Sequence, residues 1–280
     1  MEFWEVLVDG VNAAAKEFGV EAFVRGPQKE IDVDTQIAIL EQTIKEKPDA
    51  IVLAAADYKR LVPAVEAAHK AGIPLITVDS GVDSDVIRSS IATDNIAAGR
   101  KLGQAVVDLS GGRAKVAIIS FVQNATTQLD RERGVREVLE ALPGIELIGT
   151  HYSDGFVEKA YELTKQLLTE HDDLTAIVGL NEPSTVGAGR AIKELGLGGQ
   201  VILVGFDSSL DEVKLLEEGI MQVTVVQRPF NMGYLGIKTA LQVIRGDKVE
   251  RQIDTGSVVI NRANMYEEEH QKLLFPFVED

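Results

Sequence analysis

The chain has 280 residues, roughly twice the commonest domain size, which allows two domains or one large α/β unit with a sizeable core. It is 45% hydrophobic and 26% charged, a globular profile, and 28 basic against 44 acidic residues leave a net charge of −16, a field that repels phosphate backbones and excludes nucleic acid as a partner. The absence of cysteine excludes disulfides, thiolate catalysis, thiolate zinc sites and cysteine-held iron–sulfur clusters, and no run reaches the 18 or so apolar residues of a membrane helix.

Taken in chain order, Val6, Val11, Ala14, Ala15 and Phe18 recur at helical spacing and stop at Gly19, which predicts a first helix with a glycine after its end. Glu21–Val24 reads as a short strand, and a helix follows from about Asp34 to Lys47. The stretches Ala50–Ala54, Ile73–Val78, Val116–Ile119, Ala176–Val178 and Val201–Val204 are apolar on consecutive residues. That is the pattern of strands buried on both faces of a helix-covered parallel sheet. Helical and strand patterns alternate, so the fold class is α/β. The unit from Leu40 to Ser80 also recurs from Thr164 to Ser208: helix, PDAIVLA or LTAIVGLN, helix, then GIPLITVDS or GQVILVGFDS. Two similar lobes follow, and open α/β sheets bind ligands beyond the carboxyl ends of their strands.

Along this frame stand EFW at Glu2–Trp4, AGIP at Ala71–Pro74, TVDS at Thr77–Ser80, TDN at Thr93–Asn95, RERG at Arg131–Gly134, Asn181, VGFD at Val204–Asp207 and QRPFNMG at Gln227–Gly233. Their order and spacing resemble the sugar-binding proteins of ABC transporters of the ribose-binding type, whose fold is shared by the effector domains of LacI-type repressors. The resemblance covers nearly the whole chain. It implies two doubly wound parallel-sheet lobes joined by a three-crossing hinge, the type I periplasmic binding protein fold. Lobe one would hold residues 1–93 and 228–254, lobe two residues 94–227 and 255–280, with crossings near Thr93-Asp94, Gln227-Arg228 and Asp254-Thr255. It also implies a receptor that closes on a monosaccharide or polyol and delivers it to a membrane permease, with a chemoreceptor as the other docking partner it allows. No cofactor, metal or nucleic acid is expected, and the setting would be the periplasm, or the cell exterior by way of a membrane anchor.

The residues themselves support a polyol site. Asp79, Asp207 and Asn181 each follow a buried strand, and an ionised carboxylate accepts charge-assisted hydrogen bonds from vicinal hydroxyls. A single Asp after a strand is ordinarily an N-cap or a turn residue; two at equivalent places in the repeat point to a site. Phe3 and Trp4, the latter the chain's one tryptophan, offer aromatic faces for the C–H face of a sugar, although an aromatic at a helix start is more often a hydrophobic staple. The resemblance implies the site role, with Phe206 as the counterpart on the second lobe. It also implies Arg131 as the ligand-contacting arginine, with Arg133 as the alternative register, Asn95 as a further contact and Gln227 as a site or hinge residue. Two departures stand against ribose itself: Ala54-Ala55-Ala56 lacks the Asn often found after the second strand, and Gly155 takes the place of an aromatic, with Phe156 beside it.

Other motifs carry little. Gly187-x-Gly189-x-x-Ile192 lacks the third glycine of a dinucleotide fingerprint, and His69, His151, His171 and His270 have no metal-ligand spacing. Asn124-Ala125-Thr126 is a three-residue sequon, and Glu267-Glu268-Glu269 reads as a solvated helix face. Asp79 and Asp207 as a paired-carboxylate glycosidase is a chemically distinct alternative, as is a LacI-type effector domain, which needs a helix-turn-helix this chain lacks. One expectation concerns the start. The chain opens directly on the first helix, where the family places a strand inside the first sheet. The expectation is an upstream export signal with a strand of roughly five to six residues, and a first-lobe sheet one strand poorer than the second's, re-paired by closing the gap or by borrowing a strand.

Overall fold

A computed structural model describes residues 2–275. In chain order it contains α1 (Glu2–Phe18), α2 (Val33–Glu46), β1 (Ile51–Leu53), α3 (Val62–Lys70), β2 (Leu75–Val78), β3 (Ser89–Ala92), α4 (Asn95–Ser110), β4 (Ala114–Ser120), α5 (Thr126–Leu139), β5 (Ile145–Tyr152), α6 (Val157–Glu170), β6 (Ala176–Gly179), α7 (Glu182–Glu194), β7 (Ile202–Phe206), α8 (Leu210–Glu217), β8 (Val223–Val226), α9 (Pro229–Ile244), β9 (Gln252–Asp254), β10 (Val258–Asn261) and α10 (Glu268–Leu274). Two sheets form. The first has the order β1-β2-β3-β9 and is parallel throughout; the second has the order β10-β8-β7-β6-β4-β5 and is parallel except for β10 against β8.

The repeat seen in the sequence is a repeat of structure. β1 pairs with β2 across α3, with Val52 opposite Ile76, and β6 pairs with β7 across α7, with Val178 opposite Val204. The consecutive apolar residues are explained by helices on both faces of each sheet. Ile51, Leu53 and Leu75 pack with Leu40 and Val65, while Ile76, Val78 and Ile91 pack with Ala240 and Val243 of α9. Ile118, Val178 and Val204 face Leu102 and Val135, and Ile119, Ile177 and Leu203 face Ala160, Ile192 and Leu216.

The strand expected at Glu21–Val24 does not form. Those residues run as irregular chain after Gly19, with Phe23 77% and Val24 57% exposed, because no strand lies alongside to take their hydrogen bonds and a lone extended segment is not stable in water. β1 is therefore an edge strand, and among the described residues the first sheet has four strands against six in the second. The expected deficit was one; among the described residues it is two, and Glu21–Val24 does not close onto β1. Between the sheets the chain passes three times, from β3 into α4, from β8 into α9 and from β9 into β10. The Asp254 carboxylate ties two of these passages together, accepting from Asp94 N at 3.0 Å and Gly256 N at 2.8 Å.

Candidate binding cleft

Asp79 and Asp207 leave their strands in the same way. Both have left-handed backbones, φ 59° and 81°, and both donate their N–H to the neighbouring strand, Asp79 to Ile91 O at 2.9 Å and Asp207 to Val225 O at 3.0 Å. Neither caps the next helix: Ser209 caps α8, and Asp94 caps α4, the first helix after Asp79. This conformation is unfavourable for a non-glycine residue, and its recurrence at equivalent points turns each carboxylate beyond its sheet's C-terminal edge. Asp207 is held by Gln227 Nε2 at 2.7 Å and the Glu182 N–H at 3.2 Å. Asp79 is buried and makes no side-chain hydrogen bond among the described residues, and burial pushes its carboxyl up to about 7.

Between them lies Arg131, on α5. It is buried, whereas Arg133 is exposed and paired with Glu137, which settles which arginine points inward. Its Nε donates to Asn95 Oδ1 at 2.8 Å and its Nη1 to Leu180 O at 2.9 Å, and its guanidinium lies 3.7 Å from the ring centre of Phe206. Burial draws Arg131 below its ordinary pKa; Asp207, Asp79 and Glu30 pull it back up. Asn95 spends Nδ2 on Thr93 O at 3.0 Å and Oδ1 on Arg131, so in this arrangement it orients the guanidinium. Phe206, fully buried under Arg131, supports that guanidinium from below. Asn181 is the N-cap of α7, its Oδ1 accepting from Ser184 N at 3.1 Å, which leaves its amide N–H groups uncommitted.

Phe3 and Trp4 sit in the first turn of α1, packed edge to face with ring centres 5.0 Å apart. Phe3 is buried against Leu7, Val11 and Met232, and with Asp207, Gln227 and Phe230 it lines a cavity of about 310 Å³ at the passage from β8 into α9. The Trp4 indole donates to Glu30 Oε1 at 2.9 Å. Glu30 is a residue the sequence reading did not reach, since it lies in a polar connection with no periodicity; only the fold brings it beside Arg131 and Asp207. Burial raises its carboxyl, opposed by the Trp4 bond. Its Oε2 lies 3.5 Å from where a Cβ on Gly155 would sit, so the glycine at the expected aromatic position leaves room for Glu30, and Phe156 instead receives the Lys29 ammonium at 5.6 Å. Behind Asp207 are two further acids, the half-buried Glu182, pushed up to about 7, and the buried Glu212, raised well above its ordinary range; both rises come mainly from loss of water around the carboxyl. The rims meet directly, Tyr58 N donating to Asn124 O at 2.9 Å and Gly81 N to Thr126 Oγ1 at 2.8 Å.

What the geometry defines is a two-lobed receptor whose acids and arginine converge between two parallel sheets. The chain belongs to the periplasmic binding protein domain family, whose model matches residues 1–248. It is 30% identical to a D-ribose/D-allose-binding protein of Pseudomonas aeruginosa, covering 90% of this chain and 82% of that one. Among solved structures it is similar to a carbohydrate transporter solute-binding protein from Agrobacterium radiobacter in complex with D-arabinose, at 33% identity and a TM-score of 0.94, covering 98% and 95% of the two chains. It is 41% identical to a sugar transporter from Clostridium phytofermentans, with a TM-score of 0.87 and coverage of 93% and 94%.

Proposed function

We propose that the protein is the sugar receptor of an ABC transporter, closing on a monosaccharide or polyol and presenting it to a membrane permease outside the cytoplasmic membrane. The observation that carries this reading is Asp79. A buried carboxylate with no hydrogen-bond partner is expensive to maintain, and a ligand presenting two vicinal hydroxyls would satisfy it, as it would the uncommitted donors of Arg131 and Asn181. Asp79 and Asp207 grip from opposite sheets, Arg131 binds ring or hydroxyl oxygens, Gln227 holds Asp207, Asn95 and Phe206 hold Arg131, and Trp4 and Phe3 wall the apolar side of the sugar. Lobe one would be residues 1–93 with 228–254, and lobe two 94–227 with 255–280, the last five of which lie outside the described residues. The alternation of relatives that bind different sugars, with ribose/allose in one name and D-arabinose, D-fucose and tagatose in others, supports the class and not one member of it. The activity is binding, with no bond broken.

A thermal-shift panel of D-ribose, D-allose, D-arabinose, D-fucose, D-tagatose and xylitol tests this. A ligand at 100 times its dissociation constant stabilises by about 2.7 kcal/mol, a visible rise in melting temperature. A flat panel across these and the common hexoses would overturn the sugar assignment, and release of free sugar from aryl glycosides would overturn the binding-only reading.

A further inference from the structure

The connection between α1 and α2 reaches across the cleft. Glu30 is fixed by one oxygen only, Oε1 receiving the Trp4 indole N–H at 2.9 Å, while Oε2 has no donor among the described residues. That second oxygen points toward the turn between β5 and α6, as its 3.5 Å separation from a Cβ placed on Gly155 shows, and Lys29 next to it lies over the Phe156 ring of the same turn. Glu30 also stands within electrostatic reach of Arg131 and Asp207. The inner cleft thus holds three carboxyl groups, Glu30, Asp79 and Asp207, around a single guanidinium.

Resting on the sugar-receptor reading, we propose that Glu30 is a specificity-determining residue of the cleft: Oε2 accepts a hydroxyl of the bound sugar as the lobes meet, and with Asp79 and Asp207 it bars sugars that carry a negative charge. The physical argument is a balance of donors and charges. One arginine is already shared among three acids, and the neighbouring Lys29 ammonium lies over the Phe156 ring, so a ligand carboxylate or phosphate would meet more like charge than unlike charge in a water-poor space. A neutral polyol brings hydroxyl donors, which are what an uncommitted carboxylate oxygen lacks. Trp4 holds the Glu30 side chain in place, so the acceptor is in position before the ligand arrives. Gly155 completes the arrangement by leaving the facing wall without a side chain.

The test is calorimetry on the full chain and on Glu30→Gln and Glu30→Asp, with D-ribose, D-arabinose and D-fucose as neutral probes and D-galacturonate and D-ribose 5-phosphate as anionic ones. The unliganded melting temperature is measured alongside. The wild type is expected to bind at least one neutral probe and neither anion. Glu30→Gln, which keeps an acceptor for Trp4 and removes a buried charge, is expected to lose about tenfold or more in affinity for that neutral probe with its unliganded melting temperature unchanged or higher. Glu30→Asp, keeping the charge but withdrawing the oxygens by a methylene, should lose affinity for the neutral probe and still refuse both anions. Wild-type affinity in Glu30→Gln, a fall in unliganded stability that accounts for its loss of affinity, or uptake of either anion by the wild type would overturn the role of Glu30 while leaving the receptor intact. Failure of the wild type to bind any neutral sugar would instead overturn the parent reading, and Glu30's role with it.

Discussion

Asp79 illustrates how a proposed binding residue weakens the fold that carries it. Its carboxyl is raised from 3.8 to about 7 chiefly by burial, with Asp207 and Glu30 adding to the rise and Arg131 opposing it. A folded-state value above the unfolded one means that the native chain holds the proton where the unfolded chain has released it. Stability from this group is therefore fully present below about pH 4 and declines as pH rises toward 7. Glu182, also at about 7, acts in the same direction. Asp79→Asn removes the titration, so we predict that the variant, relative to wild type without ligand, gains stability progressively between pH 4 and 7, reaching on the order of 2–4 kcal/mol, while losing sugar binding. Urea melts of both proteins across that range check it; a stability difference flat with pH would refute the cause assigned. Sugar hydroxyls donating to Asp79 favour its charged form, so binding near pH 6.5 should release a proton, read as a binding heat that changes with the ionisation enthalpy of the buffer. The pairing of Asp79 with Asp207 was legible from the repeat, because equivalent strand ends put equivalent residues in equivalent places. Glu30 was not, since its position depends on a connection whose path no periodicity encodes.

At the scale of elements, the two halves are built on the same device, a helix pair in backbone contact. A Cβ on Gly10 of α1 would lie 2.1 Å from Phe230 O, and one on Gly233 of α9 would lie 2.0 Å from Leu7 O. In the other half a Cβ on Gly99 of α4 would lie 2.2 Å from Arg131 O, and one on Gly134 of α5 would lie 2.2 Å from Ile96 O. These contacts give the glycines of QRPFNMG and RERG their reason: each motif carries a proposed binding residue and, a few residues further on, the glycine of the close helix approach, Gly134 one turn after Arg131 and Gly233 in the first turns of α9 after Gln227. Gly134→Ala is expected to cost roughly 1–3 kcal/mol through overpacking and to weaken sugar binding by pushing α5, and with it Arg131, away from α4. Gly26→Ala, where a Cβ meets nothing within 4 Å, is the control and should leave both unchanged. Denaturant unfolding with calorimetry distinguishes the two. The buried strands were readable because residues apolar on both faces have no other comfortable home. The stretch Glu21–Val24 has the right composition for a strand and fails for want of a neighbour, a condition that local sequence does not record.

For the whole molecule, the question is what holds the halves against each other and what lets them part. Of the contacts named across the cleft, two are made by groups that a few degrees of hinge rotation would separate: Gly81 N to Thr126 Oγ1 at 2.8 Å and Tyr58 N to Asn124 O at 2.9 Å. At the opposite end, Asp254 joins the passages at Asp94 and Gly256 through backbone N–H groups and can keep both bonds while the torsions around it change. Opening about the proposed hinge would therefore break rim bonds, together with exposed contacts such as Lys29 over Phe156, and spare Asp254, and the rim donors would be free to bond water instead. On the proposed reading a ligand would shift this balance by binding the two sheets' carboxylates at once, an interaction available only when they face each other. Small-angle scattering should accordingly give a smaller radius of gyration with saturating sugar than without, and an unchanged radius would count against closure. Thr126→Val removes the acceptor for Gly81 N at nearly constant volume and touches none of the proposed sugar contacts. Losing one rim bond of about 1 kcal/mol should lower apparent affinity about fivefold, since binding and closure are linked. The liganded radius should stay that of wild type, because the variant alters how often the closed form is reached and not its shape. If affinity were unchanged, the Gly81–Thr126 bond would have no part in setting the balance between open and closed forms.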